Sequence, residues 1–348
     1  MKDKRVTYRQ SNVELLRLVA MCMIVGLHYF SYAGIDSKNP PSENVFFYHV
    51  LESICICGVN LFILITGYFS VSQDTIKIRK IVNLLMDVAF WGTVGFLIAY
   101  IIGWGDLDIR RYIKIILPYF WGNRWFVSAY IILLLLIPFI NRCLWNIGRK
   151  EHRVLIIIFT LLFCFWPSFM PSPPLDDYGY GFVHFTYMYL IASYMRIHIT
   201  QFPRKITCLA LFLFMSVVVC LITYFHLLGT GWAYNNLFVV LEAVALFLLF
   251  LQLKLDSKFI NILASCAFGV FLIHTDGFFS KLVYGNVFKA PDMVSDNILY
   301  FVVDVLACIP FFYLFGFALE YMKQNVFKCT VDRLLSKISI LNQIISIK

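Results

Sequence analysis

Of the 348 residues, 61% are hydrophobic and only 14% charged, and the mean hydropathy is +0.79. A water-soluble domain of this length cannot hide so much apolar surface, so the composition excludes a soluble enzyme and predicts an all-α polytopic membrane protein. The formal net charge of +9 follows from how the ends of the spans are charged, and no nucleic-acid partner is needed to explain it.

Apolar windows predict ten spans, near residues 13–33, 45–70, 81–103, 125–147, 154–170, 181–197, 206–226, 236–253, 259–280 and 297–319. The first, NVELLRLVAMCMIVGLHYF, carries Arg17 and His28 eleven residues apart. At about 100° per residue, both side chains fall on one helical stripe, separated by about 16 Å along the axis. Ionisable groups in a span cost about 2.5–3.5 kcal/mol each on insertion scales and usually face a cavity or a partner. Glu14, three residues before Arg17, can pair with it. Arg17 is either a cation snorkelling to headgroups or a functional charge. His28 is either a satisfied structural histidine or a general base, because imidazole titrates near about 6.5. The stretch ends in Ser31-Tyr32-Ala33, which imitates a signal-peptide cleavage site. The embedded Arg17 and His28 and the apolar segments that follow predict a retained helix instead.

The second span reads GVNLFILITGYF and holds Asn60, as interhelical glue or as a substrate contact. DTIKIRK follows, with Lys77, Arg79 and Lys80 together at the inner surface. Positive-inside sorting accounts for such a cluster, and a phosphate-rich ligand would want the same cations. Residues 112–122 are too short to span and read as a re-entrant or interfacial piece. Arg124 and Trp125 open the fourth span, as an aromatic belt or as a sugar-stacking platform. The ninth span contains FGVFLIHTDGF, which places His274 and Asp276 near its outer end and suggests a wet cavity. Asp87, His184, Glu242 and Asp304 lie at or within other spans, either lining that cavity or as buried partners. The segment 321–348 has Val331, Leu334, Leu335, Ile338 and Leu341 at helical spacing, with Lys and Arg opposite. It reads as a basic amphipathic helix on the inner leaflet.

With the N-terminus inside, twenty-one of the twenty-nine Lys and Arg residues fall in cytoplasmic segments, seven in outer segments and Arg17 in the first span. Both termini are therefore expected in the cytoplasm. Eight of the ten cysteines sit within spans and none in an outer loop, so neither a disulfide framework nor a metal site is expected. No period of 20–50 residues repeats, which argues against a repeat-built transporter.

Taken in order, these segments resemble the acyltransferase-3 family of bacterial integral membrane acyltransferases. Arg17 and His28 match its Arg-x10-His pattern. GVNLFILITGYF is similar to its second-span motif, WFVSAYIILLLLIPFIN to the stretch after the re-entrant piece, and FGVFLIHTDGF to its late histidine motif. Asn60 stands where the family often has Asp. Arg79-Lys80-Ile81-Val82-Asn83 keeps the basic start of an Arg-x-x-Arg and loses the second arginine, leaving Lys77 and Lys80 as point charges.

The resemblance implies a transmembrane acyltransferase domain over 1–320 in the bacterial cytoplasmic membrane, with 321–348 as a cytoplasmic tail. It implies acetyl-CoA as donor and, as acceptor, a hydroxyl of a surface or capsule polysaccharide or its lipid-linked precursor. Glu14, Arg17 and His28 would be the catalytic set, with His28 deprotonating the hydroxyl or transiently carrying the acyl group. Lys77, Arg79 and Lys80 would hold the CoA phosphates, and Asn60, Arg124, Trp125, His274 and Asp276 the acceptor. The competing reading is a transporter or flippase for glycan precursors, because intramembrane His, Arg and Asp also mark proton-coupled transport.

Overall fold

The computed structural model describes residues 10–104, 108–116, 124–170, 178–228, 231–337 and 345–346. With no water to satisfy backbone polar groups, apolar segments of this kind form helices. They are α1 (Ser11–Ala33), α2 (Ser42–Cys55), α3 (Gly58–Ser70), α4 (Ile78–Ile101), α5 (Ile109–Ile116), α6 (Trp125–Trp145), α7 (Arg149–Phe169) and α8 (Phe182–His198). The second half contributes α9 (Lys205–Tyr224), α10 (Leu237–Leu251), α11 (Lys258–Ser265), α12 (Ala267–His274), α13 (Gly277–Val287), α14 (Ala290–Met293) and α15 (Ile298–Lys337). Thr75–Ile76 and Ile345–Ser346 pair as a two-residue antiparallel bridge.

Among the described residues, counting α2 and α3 as one run, seven helices are long and apolar enough to cross a bilayer, and the bent run from Lys258 to Val287 makes eight. The protein is an all-α polytopic membrane protein, as its composition requires. Two further expected spans, near 181–197 and 236–253, form the shorter helices α8, of 17 residues, and α10, of 15.

Helix α1 is central, packed on α2, α3, α10, α11, α12 and α15. The stripe bearing Arg17 and His28 is thereby placed inside the bundle. Small residues let helices approach closely. A Cβ on Gly67 of α3 would lie 2.8 Å from Ala192 Cβ of α8, so this crossing depends on glycine.

Alternating helix direction gathers Lys77, Arg79, Lys80, Arg142, Arg149 and Arg196 at the end where α1 begins, hereafter the basic end. Asn12 Nδ2 donates to Phe250 O at 3.0 Å, and Ser257 N donates to Ser11 Oγ at 3.0 Å, fastening α1 there.

The predicted ninth span is not straight. Helix α12 stops at His274, and Asp276 takes an extended backbone (φ −77°, ψ 137°) while its carboxylate accepts from Phe278 N at 3.0 Å. That is an N-cap, so a new helix starts there, bent 83° from the run before it.

Helix α15 runs unbroken past residue 320 to Lys337. Side chains from 328 onward lie outside the described residues, and with them the amphipathic face expected around Val331 to Leu341. Of the expected re-entrant piece, residues 112–116 form the end of α5, and 117–122 lie outside the described residues. The nine described cysteines form no disulfide with one another.

Candidate active site

A cavity of about 660 Å³ runs beside α1 and is lined at successive depths by Arg17, Met21, Ile24, His28, Ser31 and Tyr32. Each of these residues lies three or four positions from another of the set, the spacing of a single helical face. Helix α4 adds Lys80, α3 adds Thr66, α6 adds Trp125 and Tyr130 with Arg124 just before it, and α12 adds His274.

At the basic end, Arg17 Nη1 donates to Glu14 Oε2 at 2.9 Å and Oε1 at 3.2 Å. Glu14 is buried and does not line the cavity; it orients Arg17 and offsets the cost of burying it. Lys80 Nζ stands 5.7 Å above the Tyr130 ring, and the Tyr130 hydroxyl lies 3.2 Å from Thr66 Oγ1. Two cations and two hydroxyls thus share one mouth, an arrangement suited to an anion. Lys77 and Arg79 belong to the same end without lining the cavity.

Deeper in, His28 and His274 meet edge to face, with ring centroids 4.8 Å apart at 74°. His274 Nδ1 donates to Val270 O at 2.8 Å, so in the neutral ring its Nε2 is a lone pair. His28 Nδ1 lies 2.8 Å from Ile24 O and 3.2 Å from His274 Nε2, and its one proton serves both acceptors. The hydrogen-bond geometry therefore assigns the tautomer. His28 Nε2 is left as a bare lone pair, bonded to none of the described residues, on a side chain that lines the cavity. Such a nitrogen can take a proton or attack a carbonyl, and the resulting imidazolium keeps both Nδ1 acceptors. His274 is the partner that holds the His28 ring in this state.

Arg124 clamps the end of α12. Its Nη1 donates to Leu272 O at 3.4 Å and Thr275 Oγ1 at 3.5 Å, and Nη2 faces Asp276 Oδ2 at 3.9 Å. A cation on the last carbonyls of a helix also complements its dipole. Arg124 lines the cavity, whereas Asp276 stands behind it, capping α13 and pairing with Arg124. Gly95 of α4 gives Asp276 its room, because a Cβ there would collide with the carboxylate.

At the far mouth, Trp125 stacks on Tyr234 (5.6 Å, 29°) and meets Tyr180 edge-on at 4.5 Å. Trp125 and Tyr234 face the cavity rather than forming only a lipid-facing belt. Asn60 does not reach the cavity. It is fully buried, accepts from His184 Nε2 at 2.8 Å and donates to Tyr234 O at 2.9 Å. Its place is behind Tyr234, as the glue its sequence context allowed.

Other acidic residues of the spans resolve as protein partners: Asp87 with Lys323 at 2.5 Å, Glu242 with Ser216 at 2.5 Å and Asp304 with Tyr29 at 2.6 Å. None lines the cavity. Thr66, Tyr130 and Tyr234 line it without having stood out in the sequence. Thr66 and Tyr130 lie within the quoted motifs, where a hydroxyl at helical spacing was the available signal.

No curated protein and no solved structure matches the chain. A family model for an acyltransferase domain matches residues 10–322, which takes in every residue of the cavity. The chain belongs to the acyltransferase-3 family and is a membrane acyltransferase.

Proposed function

We propose that this acyltransferase moves an acetyl group from acetyl-CoA to a hydroxyl of a surface or capsule polysaccharide, or of its lipid-linked precursor. In this reading it is a multi-pass protein of the bacterial cytoplasmic membrane, with the basic end in the cytoplasm, as positive-inside sorting favours. One observation carries the proposal. A single cavity touches Arg17 and Lys80 at one end, His28 and His274 at depth, and Arg124 and Trp125 at the other.

Arg17 and Lys80, with the Tyr130 and Thr66 hydroxyls, bind phosphate oxygens of the donor, and Lys77 and Arg79 add positive potential outside the mouth. The rise of about 16 Å from Arg17 to His28 matches an extended pantetheine arm. Acetyl-CoA supplies the activated thioester. His28 Nε2 takes the proton of the acceptor hydroxyl as its oxygen bonds to the acetyl carbon, and yields that proton to the leaving thiolate. Because donor and acceptor can meet in one cavity, direct transfer suffices and no acyl-histidine relay is required. Trp125 and Tyr234 offer the acceptor sugar an aromatic face.

The test uses membranes containing the protein, radiolabelled acetyl-CoA and the host's own polysaccharide. Base-labile label should enter the glycan with wild type and not with His28→Ala inserted at the same level. Labelling by His28→Ala at the wild-type rate removes His28 from the mechanism. No labelling by wild type rejects the donor or the acceptor.

A further inference from the structure

A second cationic cluster lies outside the cavity, where α7 begins and α8 ends. Arg149 Nε donates to the Tyr194 hydroxyl oxygen at 3.4 Å, and Arg153 donates to the same oxygen through Nε and Nη2, each at 3.2 Å. Two guanidinium groups therefore converge on one neutral oxygen, with no carboxylate in ion-pairing distance among the described residues. A guanidinium carries five N–H donors, so most of those on both arginines remain uncommitted. The Tyr194 hydroxyl accepts from the arginines, and its own proton has no acceptor among the described residues.

The ground beneath the cluster is also unfinished. His152 is fully buried and packs edge-on against Tyr194 (5.2 Å) and His198 (5.3 Å). Its Nε2 donates to Leu190 O at 3.1 Å, while His152 Nδ1 and His198 Nε2 are buried without a partner. Two like charges held together, with most of their N–H donors uncommitted, call for an anion. The first turn of α7 adds the positive end of its dipole.

What lies above the arginines selects the class of anion. Arg153, Ile157 and Leu161 share one helical face, and Val154, Ile157 and Leu161 are about half exposed on the outside of the bundle. An oxyanion site that continues directly into an apolar, lipid-facing stripe fits an amphiphile better than a soluble phosphate.

We propose that Arg149, Arg153 and Tyr194 bind the phosphate of an anionic phospholipid whose acyl chains lie along Val154, Ile157 and Leu161. The two guanidinium forks and the phenol proton face the phosphate oxygens, as bidentate arginine–phosphate geometry favours. The bound lipid ties the start of α7 to the end of α8. This assignment is independent of the acetyl-transfer reading.

The test is native mass spectrometry of the detergent-purified, delipidated full-length protein after addition of phosphatidylglycerol. Wild type and a Lys150→Gln control should retain one lipid with equal affinity. Arg149→Gln/Arg153→Gln should bind about ten- to thirty-fold more weakly. Tyr194→Phe keeps the ring packed on His152 and His198 and should weaken retention by a smaller factor. Should the double variant fail to fold, Arg149→Lys/Arg153→Lys decides, because it keeps the charge and loses the fork. Retention equal to wild type in the folded arginine variants overturns the site. Arginine-dependent binding of inorganic phosphate or CoA in place of phosphatidylglycerol overturns the lipid assignment, as does equal retention of phosphatidylcholine.

Discussion

His274 Nε2 accepts from His28 Nδ1 across 3.2 Å, a contact between residues 246 positions apart in the chain. Because His274 commits its own proton to Val270 O, it can only receive, and His28 is kept with Nε2 bare. In the proposed mechanism His274 is therefore a positioning residue for His28. General-base catalysis contributes about 10²–10⁴-fold, so His28→Ala should lose at least that factor while the protein still inserts. His274→Leu should lower kcat at least about tenfold with an unchanged KM for the donor. His274→Gln offers a carbonyl oxygen to Nδ1–H and should keep more of the rate. Equal rates for the Leu and Gln variants would show that His274 only fills space.

Arg17 and Lys80 make a different prediction, because both sit at the basic mouth of the cavity, away from the histidines. A hydrogen bond to a charged group contributes about 1.5–3 kcal/mol. Arg17→Ala and Lys80→Ala should then each raise KM for acetyl-CoA about ten- to one-hundred-fold, chiefly through binding. Added salt should raise the wild-type KM in the same direction. Steady-state kinetics at two ionic strengths checks both. A pure kcat loss in Lys80→Ala would place it outside the donor site.

Arg124 and Asp276 fix the end of α12, and His274 with it. Both side chains are less than a tenth exposed, so removing one partner strands a buried charge, at a cost of about 3 kcal/mol. Arg124→Ala should lower the thermal midpoint in detergent and reduce kcat together. Gly95→Ala should do the same from the opposite side, since its methyl group occupies the space of the Asp276 carboxylate. Arg124→Ala with a wild-type midpoint would reduce the clamp to a coincidence of geometry.

How much of this was legible in the sequence follows from the range of each signal. Arg17 and His28 share one helix, so an eleven-residue spacing was enough to put them on one stripe of a cavity-lining face. The His28–His274 contact was not legible, because it depends on how α12 crosses α1 and on the helix ending at His274. The HTDG run held a turn signal, Asp then Gly, that an apolar window averages away. Asn60 was ambiguous for a physical reason: an amide in a span serves equally well against a ligand or against another helix, and only the positions of His184 and Tyr234 decide. The charged residues Asp87, Glu242 and Asp304 marked polar contacts between helices, while the identity of each partner, on another helix, was not legible. Thr66 and Tyr130 carried only a weak signal, because hydroxyl-bearing residues are ordinary in spans.

The partners of Asp87 lead to the last prediction. Lys323 of α15 donates to Asp87 of α4 at 2.5 Å and to Glu320 at 3.1 Å, and Glu320 also accepts from Trp91 Nε1 at 2.7 Å. Glu320 presses on Gly269 of α12, where a Cβ would meet its carboxylate. One lysine thus holds α4, which bears Lys80, beside the helix that bears His274. Lys323→Met leaves two carboxylates without their cation and should destabilise the protein by about 3–5 kcal/mol. The loss should come mainly from the charge left behind rather than from a strong bond removed. Adding Glu320→Gln to Lys323→Met should therefore recover part of the midpoint, since the amide still accepts from Trp91 and carries no charge. Thermal unfolding of the two single variants and the double variant gives the coupling directly. A double variant no more stable than Lys323→Met alone would mean that charge balance is not what holds α4 to α15.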